Sequence, residues 1–236
     1  MKLIKPYNTV INENVDNTHL LTDYQMFWCK QYIRGSFGVN ENGEVYSPEE
    51  IIAVINSPDR FAVKFANCIS FSCQHNANLV SLEGSPNSIS GSFNIFGATK
   101  LRSLIGGPRR VGKHYSVYRC NIKSLEGAPE RVGGTFNCAF NTNLESLQYS
   151  PSRVGGAYIA RHCESIINLK GISEYIREEL ALSGCKSLRS LDGLYKEFDG
   201  DMLLEECGRP ANELIYNWKN DITGEELDMF NDEWTI

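Results

Sequence analysis

Eight cysteines and four histidines are the residues of this 236-residue chain best suited to chemistry. Cys68, Cys73 and His75 lie close together, and His162 adjoins Cys163. Such groups could ligate a metal, or a thiolate–imidazole pair could act as a nucleophile. Their spacing argues otherwise. Cys120, Cys163, Cys185 and Cys207 share one position of a repeating unit, and Cys73 and Cys138 share another. Stacked units would set such thiols in a column about 5 Å apart, the interstrand spacing, and a column is not a tetrahedron. A thiol buried at such a position is inert. Gly133-Gly134 and Gly155-Gly156 precede strand-like segments rather than helices, so they lack a phosphate-cradling geometry. No paired carboxylates recur at an acid/base spacing, and Glu205 and Glu206, being adjacent, point to opposite sides of a strand. The residues read as a chain without a catalytic constellation, metal or cofactor: not an enzyme.

The repeat that orders these residues is carried by SLxGxP. It begins at Ser81, Ser103 and Ser124, and continues in weaker form at Ser146, Asn168 and Ser190, giving intervals of 22, 21, 22, 22 and 22. Upstream of each SL lies an apolar residue: Phe71, Phe93, Tyr115, Phe136, Tyr158 and Leu180, with a seventh at Met202. Two residues later come Cys73, Ile95, Val117, Cys138, Ala160, Leu182 and Leu204. This alternation marks a short strand with one buried face. Five residues after the first apolar position come Asn76, Ala98, Cys120, Asn141, Cys163, Cys185 and Cys207, and in the first six units a leucine or isoleucine then follows. The unit from Tyr115 is one residue short. One strand cannot bury its apolar face alone, so the units must stack. Gly127 and the Gly133-Gly134 pair mark two bends, where positive φ is expected.

Over residues 67–208 this pattern resembles the leucine-rich repeat family, in its form with cysteine at the asparagine position. The SLEGxPxxVGGxF phrasing is similar to 22-residue repeats in proteins of large tailed bacteriophages and, more distantly, in secreted bacterial effectors. The resemblance implies a curved solenoid with about seven short parallel strands on its concave face and an irregular convex side. It further implies binding rather than catalysis, with a phage-encoded inhibitor of a host defence, toxin or regulatory protein as the setting. An effector adaptor and a virion component are alternatives.

Alternation assigns three outward rows to the sheet. The third holds Gln74, Phe96, Tyr118, Ala139, Arg161, Ser183 and Glu205. Aromatic residues and arginine favour interface hot spots, so Phe96, Tyr118 and Arg161 are the leading partner-binding candidates. His114, Asn94, Ser116 and Asn137 from the other rows join them, with Arg119, Phe140 and His162 one step along. Glu179, Asp201 and Glu205 make the C-terminal end acidic. Arg109, Arg110, Lys113, Arg131 and Arg153 fall near equivalent turn positions and suggest a basic stripe, which with Tyr118 stacking gives nucleic-acid binding as an alternative.

A stacked array has raw ends. Residues 1–66 read as a mixed α/β N-terminal cap, with a hairpin around Asn42-Gly43 and a helix starting at Ser47-Pro48. Residues 209–236 read as a helical acidic cap, with one helix over 211–220 and a capping box at 223–226. The net charge of −6 argues against a dedicated nucleic-acid binder. No apolar run is long enough for a membrane helix, and the N-terminus lacks a signal-like apolar stretch. The expectation is a cytoplasmic protein with a protein partner, no membrane and no small-molecule substrate.

Overall fold

The computed structural model describes residues 17–47, 50–53 and 60–223. The chain is a parallel β-solenoid of about seven turns. Each turn adds one strand to a large sheet: Ser70–Ser72, Phe93–Asn94, Tyr115–Ser116, Phe136–Asn137, Tyr158–Ile159, Glu179–Ala181 and Asp201–Leu203. The register pairs Phe71 with Phe93, Phe93 with Tyr115, and so on to Met202. These are the equivalent positions of the repeat. Backbone N–H groups of Phe71, Phe93, Tyr115 and Phe136 donate to the next coil at 2.8–2.9 Å.

The alternation arises because one strand face has only the solenoid interior to meet. Phe71, Phe93, Tyr115, Phe136 and Tyr158 are fully buried, as are Ile95, Val117 and Cys138 two residues after their strand positions. Leu144, Leu147 and their equivalents close the core from the opposite side. Each fully buried leucine contributes about 1.5–3 kcal/mol. The rings form an internal column, with Phe71, Phe93, Tyr115 and Phe136 near-parallel at centroid spacings of 5.2–5.6 Å.

Two tyrosines in this column differ in their hydroxyls. Tyr158 shares a 2.8 Å hydrogen bond with Ser150, whereas the buried Tyr115 hydroxyl has no partner among the described residues. An unsatisfied buried hydroxyl costs about 1–3 kcal/mol. Tyr115→Phe is therefore expected to stabilise the protein by about 1 kcal/mol and Tyr158→Phe to destabilise it by a similar amount. Urea denaturation of the two variants checks the opposite signs.

The side expected to be irregular carries a second parallel sheet. Its strands are Ser88–Ile89, Arg110–Val111, Arg131–Val132, Arg153–Val154 and Tyr175–Ile176. The second residue of each is buried and the first faces outward. Between the sheets the coils come into backbone contact. A Cβ on Gly133 would lie 2.0 Å from the Gly112 carbonyl oxygen, and one on Gly155 would lie 2.2 Å from that of Gly133. Close approach, rather than the expected positive φ, demands glycine here. Gly127 does have the expected positive φ, at +90°.

Residues before the repeat extend the same sheet. The helix Asp23–Tyr32 starts with a Thr22/Gln25 capping box and buries Trp28 against Phe61 and Phe65, while Tyr24 and Phe27 stay exposed. The hairpin forms at Asn42-Gly43, with Gly38–Val39 paired to Val45–Tyr46 and the Asn40 side chain accepting from Asn42 and Glu44. The helix expected from Ser47 does not form over residues 50–53. Glu50–Ala53 is a strand, parallel to Ser70–Ser72 and antiparallel to Ile33–Arg34. Tertiary pairing of Ile51 with Phe71 outweighs the local capping signal. Pro48 and Glu49 lie outside the described residues.

Past the last coil, the helix Ala211–Lys219 buries Leu214 and Trp218, and Trp218 Nε1 donates to the Leu194 carbonyl at 3.2 Å. Residues 224–236, which hold most of the expected capping box and acidic segment, lie outside the described residues. Among the described residues no helix is long and apolar enough to cross a membrane.

Candidate functional site

Each strand of the large sheet ends in a tight turn that returns the chain to the core. The N–H groups of Ala98, Cys163 and Cys185 close such turns onto the carbonyls of Ile95, Ala160 and Leu182 at 3.1–3.3 Å. Two residues remain between the buried ends, and the second has positive φ in all seven coils. Gly97 and Gly184 take φ of 76° and 79°, while His75, Arg119, Phe140, His162 and Glu206 take 55–59°. A non-glycine residue in this region costs about 1–2 kcal/mol.

These turns assemble a strip of rings across the sheet end. His75 meets Phe96 at 4.4 Å between centroids, Phe96 meets Tyr118 at 5.0 Å, Tyr118 meets Phe140 at 5.0 Å, and Phe140 meets His162 at 4.4 Å. Phe96, Tyr118 and His162 are half-buried, and Phe140 and His75 are exposed. The strip is longer than the third row alone implies. Where that row breaks at Ala139, Phe140 from the neighbouring turn position supplies the ring. Ala139 itself, expected to face outward on the sheet, is buried.

The two imidazoles end the strip over glycines. A Cβ on Gly97 would lie 3.4 Å from His75 Nδ1, and one on Gly184 would lie 2.3 Å from His162 Nδ1. His75 therefore belongs to this surface rather than to a cysteine cluster. Its signal in the sequence is that it occupies the same repeat position as His162.

The other candidates flank the strip in supporting roles. Asn94 and Asn137 accept hydrogen bonds from the N–H groups of Phe96 and Ala139, each at 3.0 Å, which fixes the strand ends that carry the rings. His114 Nδ1 accepts from Thr135 N–H at 3.2 Å, and Ser116 is half-buried in the middle row. Arg119 is exposed beside Tyr118. Arg161 lies 3.7 Å from Glu179, and its Nε is buried without a hydrogen-bond partner among the described residues. The rings thus pass at the C-terminal side into a paired Arg161–Glu179 and then to Asp201 and Glu205. The Ser183 hydroxyl donates to Glu205, and this bond holds its carboxyl below the usual range.

Three of the five basic residues form one row. Arg110, Arg131 and Arg153 are in direct register on the small sheet, followed by Tyr175. They lie on strands rather than turns. Arg109 lies one residue outside this row and pairs with Glu130. Tyr118 belongs to the end of the large sheet, so the ring in register with the arginines is Tyr175, with the Arg153 guanidinium 4.2 Å from its centroid.

Six of the eight cysteines are buried and Cys68 and Cys207 are half-buried, with no disulfide among the described residues. Cys120, Cys163, Cys185 and Cys207 donate to the carbonyls of Ile95, Cys138, Ala160 and Leu182 at 3.2–3.4 Å. Burial pushes the Cys120 thiol up to about 12 and the Cys207 thiol up to about 11. Thiols held protonated and bonded to backbone are poor nucleophiles. Comparison with known proteins finds no matching family model, no matching curated relative and no matching solved structure, so the leucine-rich-repeat resemblance stands on this chain's own residues.

Proposed function

We propose that the protein is a non-catalytic binding module of the leucine-rich-repeat type, and that a protein partner docks on the ring strip from His75 to His162. The observation that carries this reading is the continuity of the strip. Five rings from five consecutive coils meet in T-shaped or tilted pairs at the sheet end, three of them on a costly backbone conformation. Core packing does not require them, because a separate internal column fills the core. Preformed aromatic groups lose little entropy on binding and are favoured as interface anchors. The acidic residues beyond Arg161 orient the partner by charge.

The phage-like phrasing supplies the biological setting: a viral factor that binds and inhibits a host protein in the bacterial cytoplasm. The test is affinity capture from bacterial lysate, followed by titration of the captured protein against the parent and Tyr118→Ala/Phe140→Ala. Loss of two anchors at about 2 kcal/mol each weakens binding by about three orders of magnitude. Equal affinity of parent and variant overturns the ring strip as the docking face.

A further inference from the structure

We propose that the small sheet carries a second, independent site: the Arg110–Arg131–Arg153 column binds the phosphodiester backbone of single-stranded nucleic acid. The column is an in-register row in a parallel ladder, so its rungs are about 4.8 Å apart. Like charges directly opposite one another on a sheet are destabilising. All three arginines are exposed, and none forms an ion pair among the described residues. Glu130 is the carboxylate beside them. It pairs with Arg109, whose hydrogen bond and charge hold it below the usual range, with smaller effects from Arg110 and Arg131. With Arg109 this face gathers four cations against Glu130 and, beside Tyr175, Glu174, in a chain whose net charge is −6.

The shape selects the ligand. The column is one residue wide and about 10 Å long at the interstrand spacing. That geometry follows one flexible phosphate chain rather than the two fixed strands of a duplex. Guanidinium groups match phosphate oxygens in a fork, which a lysine row does not. The next rung supplies a stacking surface. Tyr175 has one face against Arg153 and is still 36% exposed, so a base can stack beside the last phosphate contact. The backbone contacts at Gly112, Gly133 and Gly155, immediately after the column residues' strands, fix the rung spacing.

The test is fluorescence anisotropy with labelled oligothymidylate and oligouridylate, which separate DNA from RNA as the source of the phosphate chain. Three phosphate contacts give a slope of about −2 in log K against log salt, or about 20-fold weaker binding between about 50 and 200 mM salt. Arg110→Ala/Arg131→Ala/Arg153→Ala is expected to bind about tenfold more weakly or worse at low salt and to lose the slope. Single Arg→Ala variants each lower the slope by about 0.7. Thermal melts no lower than the parent's show that the variants stay folded. Tyr175→Ala is expected to weaken binding while leaving the slope intact. Equal binding by parent and triple variant overturns the site. So does equally tight binding of a duplex, or equally effective competition by polyglutamate, which points to an acidic polypeptide instead. Binding at the ring strip is unaffected by these substitutions, so failure here leaves the protein-binding reading standing.

Discussion

Asn141→Ala is expected to destabilise the fold by about 4 kcal/mol, because it leaves three buried backbone groups without partners at about 1–3 kcal/mol each, while the Cys138 carbonyl keeps its bond from the Cys163 thiol. Asn141 is fully buried. Its Nδ2 donates to the carbonyls of Val117 at 3.0 Å and Cys138 at 2.7 Å. Its Oδ1 accepts from the N–H groups of Cys120 at 3.0 Å and Ile122 at 3.1 Å. The last two bonds have a specific cause. The coil beginning at Tyr115 lacks one residue between Cys120 and Ile122, and Asn121 takes φ of +59° to span the gap. In a full-length coil, Cys163 and Ile166 donate to local carbonyls instead. The asparagine of the next coil thus satisfies the two N–H groups that the deletion releases. Asn141→Cys installs the residue found elsewhere in the ladder. It restores a donor but no good acceptor, so its stability is expected to fall between Ala and the parent. Asn143, exposed and bonded to Asn121, is the control: Asn143→Ala changes stability by no more than about 0.5 kcal/mol. Urea denaturation of the three variants checks the order, and an Asn141→Ala midpoint close to the parent's contradicts the account.

Mild alkali is expected to unfold the protein. The ordinary thiol value is 9.0, and burial raises the Cys120 thiol to about 12. Cys185 is also raised by burial, and Cys163 by contact with the Cys138 thiol together with burial. A raised folded-state value means that the native state keeps its protons while the unfolded chain loses them. The stabilising contribution is complete below the unfolded thiol value and is lost as pH rises toward the folded one. Each fully buried thiol removes about 1.4 kcal/mol per pH unit in that window. Three together remove about 4 kcal/mol between neutral pH and pH 10, comparable to the whole stability of many domains. Urea midpoints at neutral pH and near pH 10 measure the loss, and Cys120→Ala is expected to reduce the pH slope by about a third. A midpoint that stays flat across this range contradicts the account.

The repeat makes the interior legible from the residues alone. Equivalent residues meet equivalent neighbours, so the period alone placed Phe93 over Phe71 and Cys163 inside rather than in a catalytic pair. The helix carrying Leu214 and Trp218 was equally plain from its apolar spacing. Features set by contacts between coils were hidden. The small sheet has two-residue strands, too short for alternation to show, and so Arg110 and Arg131 looked like turn residues. Gly133 and Gly155 looked like positions of unusual φ, when the constraint is a neighbouring carbonyl. At Ser47 the local helix signal was strong, yet Ile51 pairs with Phe71. The candidate surface was half visible. Phe96 and Tyr118 stood out in one row, but reading rows separately broke the strip at Ala139 and left His75 among possible metal ligands.

That strip also bears on how the protein can change. In every coil two neighbouring turn residues separate the same buried ends, and a ring at either one reaches its counterpart in the coil beside it, as the step from Tyr118 to Phe140 shows. With the strip as the proposed docking face, its specificity can be rewritten coil by coil, by exchanging contents between paired positions, while the interior columns that determine folding stay untouched. Recognition and foldability are written in separate letters of the same 22-residue word, so a lineage under pressure from a changing partner can edit one without misspelling the other.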